Sequence, residues 1–249
     1  MRDLVVYGLG ELGQLYGAAA LRTGMRVIPI TRSVDPHTVL TTVAPDTPIM
    51  VAVGEDALPS VLDVLGPRLA HAILLQNELF PSAWQARGQT PTVLVAWLLK
   101  KRGTPLSIAR PSPAFGRHAE LVEALHAALA IPTERLLDEQ ALGRAIVEKY
   151  AFIVTINALG LLRDRTLGTW LQEDPLRVRA LAEEASRLGA RLCEVEIDLA
   201  HTAQVVAEGM HALGTMSARG RSAEARVARA LAHGARLGLD LPALRAART

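Results

Sequence analysis

Apolar residues in the first half of the chain fall in short runs separated by segments of helical character. Val5-Val6-Tyr7 leads into Gly8-Leu9-Gly10-Glu11-Leu12-Gly13, then into an Ala- and Leu-rich segment that breaks at Gly24, then into Val27-Ile28-Pro29-Ile30. This pattern predicts strand, tight turn, helix, turn, strand. A polar, Pro-bearing loop is expected after Arg32, followed by a strand at 49–53, a helix at 58–65 and a strand at 72–75. Further apolar runs lie at 92–98 and 106–109, with the charged stretch Lys100-Lys101-Arg102-Gly103 between them as a solvated hairpin tip. Pro111-Ser112-Pro113 reads as a breaker before a helix at 117–129. From about residue 139 the strand signals end. Helices are predicted at 139–162, 175–192, 199–213 and 222–237, with Asp198 and Ser222 as N-caps and Pro175 at a first helical position.

Strands alternating with helices predict a doubly wound parallel sheet of the Rossmann type, here over residues 1–137 as a dinucleotide-binding domain. An all-helical domain is expected over 138–249. Its Ala- and Leu-rich helices suit pairing with a second copy, with helix 175–192 the candidate contact in a homodimer.

In such a sheet each glycine of the first turn has a physical task. Gly8 allows the sharp turn off the strand, Gly10 keeps a side chain away from an approaching pyrophosphate, and Gly13 lets the helix lie close to the sheet. The N–H groups of the following helical turn would then face the phosphates. The second strand ends in Thr31-Arg32-Ser33 rather than in an acid. Two hydroxyls and a guanidinium fit the 2′-phosphate of NADP(H), with Asp35 the one nearby acid that could oppose it. The expected cofactor contacts are therefore Gly8, Leu9, Gly10, Glu11, Leu12, Gly13, Thr31 and Arg32.

Composition narrows the function classes. With 249 residues, half of them hydrophobic, the chain can build a sizeable core. Cys193 is the single cysteine, which removes internal disulfides and thiolate clusters. The seven histidines show no metal-ligand spacing, and no metal is expected. A net charge of +2 is too mild for a nucleic-acid binder, and the arginines 219, 221, 226, 229 and 236 read as a solvated face. No uninterrupted apolar run approaches the ~18 residues needed to cross a bilayer. The N-terminus runs directly into the first strand, so a cytoplasmic protein is expected.

The 27 basic side chains include only three lysines, Lys100, Lys101 and Lys149, and the chain has only two asparagines, Asn77 and Asn157. Where arginine is the default cation, a lysine marks a place where arginine would not serve. Lys149 and Asn157 stand two turns apart on one side of an apolar helix. A buried lysine has a lowered pKa, which suits it to protonate a carbonyl oxygen as hydride arrives. Snorkelling to solvent or pairing with Glu148 is the plain alternative.

GLGELGQL at 8–15, Arg32, Leu75-Gln76-Asn77, Glu148-Lys149, Ile156-Asn157, Gly220-Arg221-Ser222-Ala223-Glu224 and Gly238-Leu239-Asp240-Leu241-Pro242 together resemble the ketopantoate (2-dehydropantoate) reductases, in order and over most of the chain. The resemblance implies NADPH-dependent reduction of a small 2-oxo acid, as in the step from ketopantoate to pantoate in pantothenate biosynthesis. It implies Lys149 as general acid and Glu224 as the holder of a substrate hydroxyl. Asn77 would lie near nicotinamide and substrate, and Asn157 and Thr215 would line the substrate site. Glu224 can equally be an acid favoured by the helix dipole. Three departures stand out. Gly54 replaces a lysine after the third strand, Ile153 an asparagine one turn after Lys149, and Ala225-Arg226 an Ile-Asp pair. They leave open a smaller or more apolar substrate and a non-catalytic NADP(H)-binding sensor; the other enzyme reading is a reductase of the related 3-hydroxyacid dehydrogenase type, which also uses a lysine on a central helix, and Ile153 counts against it.

Overall fold

A computed structural model describes every residue except Met1, Lys101, Arg102, Arg221 and Thr249. The hairpin tip at 101–102 and the Arg221 landmark therefore lie outside the described residues. The chain divides into two compact units, one of residues 1–107 and 111–142, the other of 108–110 and 143–249.

The first unit alternates β1 (Asp3–Tyr7), α1 (Glu11–Arg22), β2 (Arg26–Ile30), α2 (Pro36–Thr42), β3 (Ile49–Val51), α3 (Leu58–Leu65), β4 (Ala72–Leu74), α4 (Ser82–Gln85) and β5 (Thr92–Leu94). The short β6 (Leu98–Leu99) and β7 (Ser107–Ile108) pair on their own, and β8 (Ser112–Phe115), α5 (Ala119–Ala127) and β9 (Thr133–Arg135) complete the unit. The sheet has seven strands in the order β2-β1-β3-β4-β5-β8-β9. The switch in strand order beside β1 sets the carboxyl ends of β1 and β3 next to each other, which is where such sheets bind ligands. Val5, Val6, Ile49, Met50, Ile73 and Leu74 are fully buried because helices cover both faces.

Three local expectations give way here. The segment after Arg32 is helical, since Asp35 caps it by accepting from the N–H groups of His37 and Thr38 at 3.2 and 3.1 Å, with Pro36 in the first turn. The apolar run at 92–98 splits at Leu94 into β5 and β6. Pro111-Ser112-Pro113 breaks nothing: Ser112 and Pro113 open a strand that runs antiparallel to β5 and parallel to β9, a strand the sequence did not announce. Proline is tolerated because the ladder asks of Pro113 its carbonyl, which accepts from Val95 N–H at 2.8 Å, and the Ser112 hydroxyl accepts from Trp97 N–H at 2.9 Å.

The second unit is built on α6 (Glu139–Leu162), α7 (Leu167–Glu173), α8 (Pro175–Cys193), α9 (Leu199–Ala212), α10 (Ala223–Arg236) and α11 (Pro242–Ala246). Asp198 caps α9 as expected, whereas Ser222 makes no side-chain cap on α10. Glu184, 4% exposed, accepts from the N–H groups of Ala243 and Leu244 at 2.8 and 2.9 Å and so caps α11 across the unit. The 24-residue α6 passes the length and hydropathy test for a membrane span despite its polar interruptions, which corrects the reading from uninterrupted runs. Some 78% of its most apolar stretch is buried in the protein, as a core helix requires.

Candidate active site

In the sheet unit the turn between β1 and α1 is shaped by missing side chains. Gly8 has φ +93°, and a Cβ there would lie 2.7 Å from the Ala52 carbonyl oxygen. A Cβ on Gly13 would overlap the Gly8 carbonyl oxygen, so this glycine closes the turn on itself. At Gly10, the residue before α1, a Cβ would meet nothing within 4 Å. That opening lies at the N–H groups of a 12-residue helix, the arrangement that suits a pyrophosphate. Leu9 and Glu11 are exposed beside it, Leu12 is half-buried, and the Leu9 carbonyl is held by the Gln14 amide at 3.0 Å.

After β2 the Thr31 and Ser33 hydroxyls meet at 3.1 Å, and the exposed Arg32 guanidinium has no hydrogen bond or ion pair among the described residues. Asp35 is taken up by its own helix. Its carboxylate takes the Thr38 hydroxyl at 2.7 Å as well as the two cap N–H groups, and these bonds, the hydroxyl first, hold its pKa below the usual range. Asn77, after β4, donates to a Glu55 carboxylate oxygen at 3.3 Å. Its neighbour Gln76 donates to the carbonyls of Val51 and Val53 at 2.8 and 3.2 Å and thereby ties the end of β4 to the end of β3.

In the helical unit Lys149 is only 7% exposed. Burial, and then the charge of Arg226, push its ammonium down to about 7, and Nζ stands 5.4 Å from the Phe152 ring centroid. It does not snorkel. Glu148 faces His201, with Oε1 to Nε2 at 3.5 Å. Two turns along α6, Asn157 is 3% exposed; its amide donates to the Ile153 carbonyl at 2.6 Å, while its buried Oδ1 has no hydrogen-bond partner among the described residues. A Cβ on Gly220 would come within 2.8 Å of that Oδ1, and one on Gly160 within 2.5 Å of the Ala218 carbonyl oxygen. Segment 218–220 thus lies directly against α6. Gly220, Glu224, Arg219, Ala223 and Leu161 line one cavity of about 370 Å³. The structure brings Asn157, Gly220 and Glu224 to one region and Arg226 within electrostatic reach of Lys149. Thr215 sits exposed in the turn after α9 and is not among the residues lining that cavity.

No family model matches the sequence, and no curated protein matches it. Solved structures do. A D-mandelate dehydrogenase in complex with NADH superposes with a TM-score of 0.71 at 11% identity, covering 99% of this chain and 96% of its own. The 2-dehydropantoate 2-reductase of Methylococcus capsulatus gives 0.63 at 19% identity, covering 99% and 94%. That of Porphyromonas gingivalis W83 gives 0.63 at 17%, covering 99% and 97%. The chain has the fold of the ketopantoate reductases.

Within the ketopantoate reductase fold, three residues escaped the sequence reading. Glu55 and Gln76 act through β3 and β4 lying side by side, which spacing along the chain does not reveal, although Gln76 lies inside a quoted landmark. Arg226 was visible only as a departure from the family pattern. Its effect on Lys149 needs α10 and α6 to be near each other in space. Among the described residues no group of three or more His, Cys, Asp or Glu could hold a metal.

Proposed function

We propose that this protein is an NADPH-dependent reductase of a small 2-oxo acid. The observation that carries the reading is Lys149, a lysine buried in an apolar helix whose ammonium titrates near neutrality. Such a group delivers a proton without a large energetic penalty and returns to its neutral form in a dry site. When bound, NADPH supplies the hydride. The open helix N-terminus at Gly10 and the donors Thr31, Arg32 and Ser33 would hold its phosphates. Lys149 would pass its proton to the substrate oxygen as the carbonyl becomes an alkoxide. Asn157 and Glu224 would orient the substrate, Asn157 through an Oδ1 that lacks a partner among the described residues. With Gly54 and Ile153 standing where the family pattern has a lysine and an asparagine, the substrate would be smaller or less polar than ketopantoate. Thr215 and Asn77 remain as proposed contacts.

The test is NADPH oxidation with a panel of 2-oxo acids that includes ketopantoate and an aryl 2-oxo acid, run on the native protein and on Lys149→Ala. Turnover by the native protein and a loss of ~10²-fold or more in the variant supports the reading. Equal turnover by both proteins refutes it. The second reading, a non-catalytic NADP(H) sensor, is favoured by Gly54, Ile153 and Arg226. It predicts cofactor binding with no turnover on any 2-oxo acid.

A further inference from the structure

We propose that the segment joining α8 to α9 is a docking edge for an extended peptide that alternates apolar and basic residues and ends in a free carboxylate. The edge stands independently of the reductase reading. The chain leaves α8 through Glu194, which is left-handed at φ +54°, and Asp198 then caps α9. Between them exposure alternates: Glu194, Glu196 and Asp198 are exposed, while Val195, Ile197 and Leu199 are half-buried. A period of two is that of an extended chain. The segment is pinned at its start, where Val195 N–H donates to the Ala190 carbonyl at 3.1 Å and a Cβ on Gly143 of α6 would come within 2.5 Å of Val195. Beyond that point its backbone is unused. The N–H groups of Glu196, Ile197 and Asp198 and the carbonyls of Val195, Glu196 and Ile197 make no hydrogen bond among the described residues. A fixed, extended edge with no neighbouring strand is the element to which a peptide adds through main-chain hydrogen bonds.

Along that edge lies a cleft of about 610 Å³ with Val195, Ile197, Leu199 and Leu239 as its apolar wall. Its volume is that of a ligand pocket, and alternate side chains of an added strand would enter it. Charge then selects the sequence of the peptide. Arg187 and Arg191, one turn apart on α8, line the cleft together with Glu194 and Glu196, and none of the four has a hydrogen bond or ion pair among the described residues. Two neighbouring guanidiniums suit a carboxylate, and a C-terminal one supplies it without taking up an apolar position. The two glutamates stand on the exposed side of the edge, beside the outward side chains of the peptide, which are therefore basic. With a net charge of only +2 and of the same sign, the protein has no general attraction for such a peptide.

The experiment is fluorescence anisotropy of a dye-labelled hexapeptide, alternating lysine and valine and ending in a leucine carboxylate, titrated with the full chain up to about 1 mM. Saturable binding is expected, weakened ~10-fold or more when the terminal carboxylate is replaced by an amide. Methylating one alternate set of peptide N–H groups should cost ~10-fold, and methylating the other set should cost far less, because only one set faces the edge. Glu196→Lys should weaken the lysine peptide and bind its glutamate counterpart better than the native protein does. Position 196 faces solvent, so this reversal decides the matter without disturbing the fold. No binding up to about 1 mM overturns the proposal. So does equal binding of the acid, the amide and both methylated peptides with displacement by decanoate, which would make the cleft a site for small amphipathic acids. A chain that sediments as a dimer and takes up none of the peptides would assign the cleft to a second copy and overturn it as well.

Discussion

The glycine turn of the sheet unit and the central helix of the helical unit are built in opposite ways. The turn is made by leaving side chains out, so that backbone N–H groups are presented and nothing needs to titrate. The helix is made by burying polar side chains, Lys149 at 7% exposure and Asn157 at 3%, in surroundings that penalise charge. A site made of backbone is sensitive to added volume. One made of buried polar groups is sensitive to charge and to pH. Each therefore breaks under a different kind of substitution.

The largest expected effect lies at the lysine. Lys149→Met should lower the rate by ~10²-fold or more, and should also make the protein more stable at neutral pH, by ~1 kcal/mol or more. The sign follows from linkage. Lys149 has a folded pKa of about 7 against 10.5 for a solvated lysine, so between those values the unfolded chain binds more protons. The native fold therefore gains stability as pH rises through that window, and the advantage of Lys149→Met should shrink from pH 7 to pH 10. Thermal unfolding of both proteins across that range checks it. A variant less stable than the native protein would mean that Lys149 is structural.

The backbone site should respond next, and two glycines of one turn should behave differently. Gly13→Ala drives a methyl group into the Gly8 carbonyl and should cost ~1 to 3 kcal/mol of stability. Gly10→Ala meets open space and should fold normally, yet it puts a methyl group where a phosphate would approach. An NADPH affinity lowered ~10-fold or more by Gly10→Ala, with an unchanged melting temperature, would separate a binding glycine from a folding one. If NADPH binds Gly10→Ala as it binds the native protein, the pyrophosphate does not lie there.

Arg32→Ala should weaken NADPH by roughly tenfold to a hundredfold while leaving NADH nearly unchanged, the value of one charge-assisted contact. Calorimetry with both cofactors at one salt concentration reads the difference. A native protein that binds the two equally would remove the assignment of Thr31, Arg32 and Ser33.

How far these features could be read along the chain depends on whether their causes are local. The first turn was legible because strand, glycines and helix are contiguous, and burial of Lys149 was legible because apolar residues flank it on both sides in sequence. β8 was hidden because prolines signal a break, and only the neighbouring strands show that Pro113 is asked for a carbonyl rather than a donor. α2 was hidden because it is short and polar and depends on one cap, Asp35. The partners of Asn77 and Lys149 were hidden for a deeper reason. Glu55 lies 22 residues from Asn77, and Arg226 lies far along the chain from Lys149, so neither pairing leaves a periodic trace.

The smallest expected effect is also the one that best joins sequence to mechanism. Position 226 carries arginine where the family pattern has an acid, and the Arg226 charge adds to burial in lowering the Lys149 pKa. A general acid must be protonated to act, so with a pKa of about 7 the rate of reduction should be full below that value and fall as pH rises through it. Arg226→Ala removes a like charge, and Arg226→Asp supplies an opposite one. Both should move the alkaline limb of the kcat profile to higher pH, the aspartate further, and raise the rate at pH 8 relative to pH 6. Burial is the larger cause and remains in both variants, so the limb should not return to the range of a solvated lysine. Adding salt should leave the native limb largely in place, since the larger cause is the burial of Lys149, which salt does not screen. Profiles that coincide in all three proteins would show that the ionisation seen in the rate is not that of Lys149.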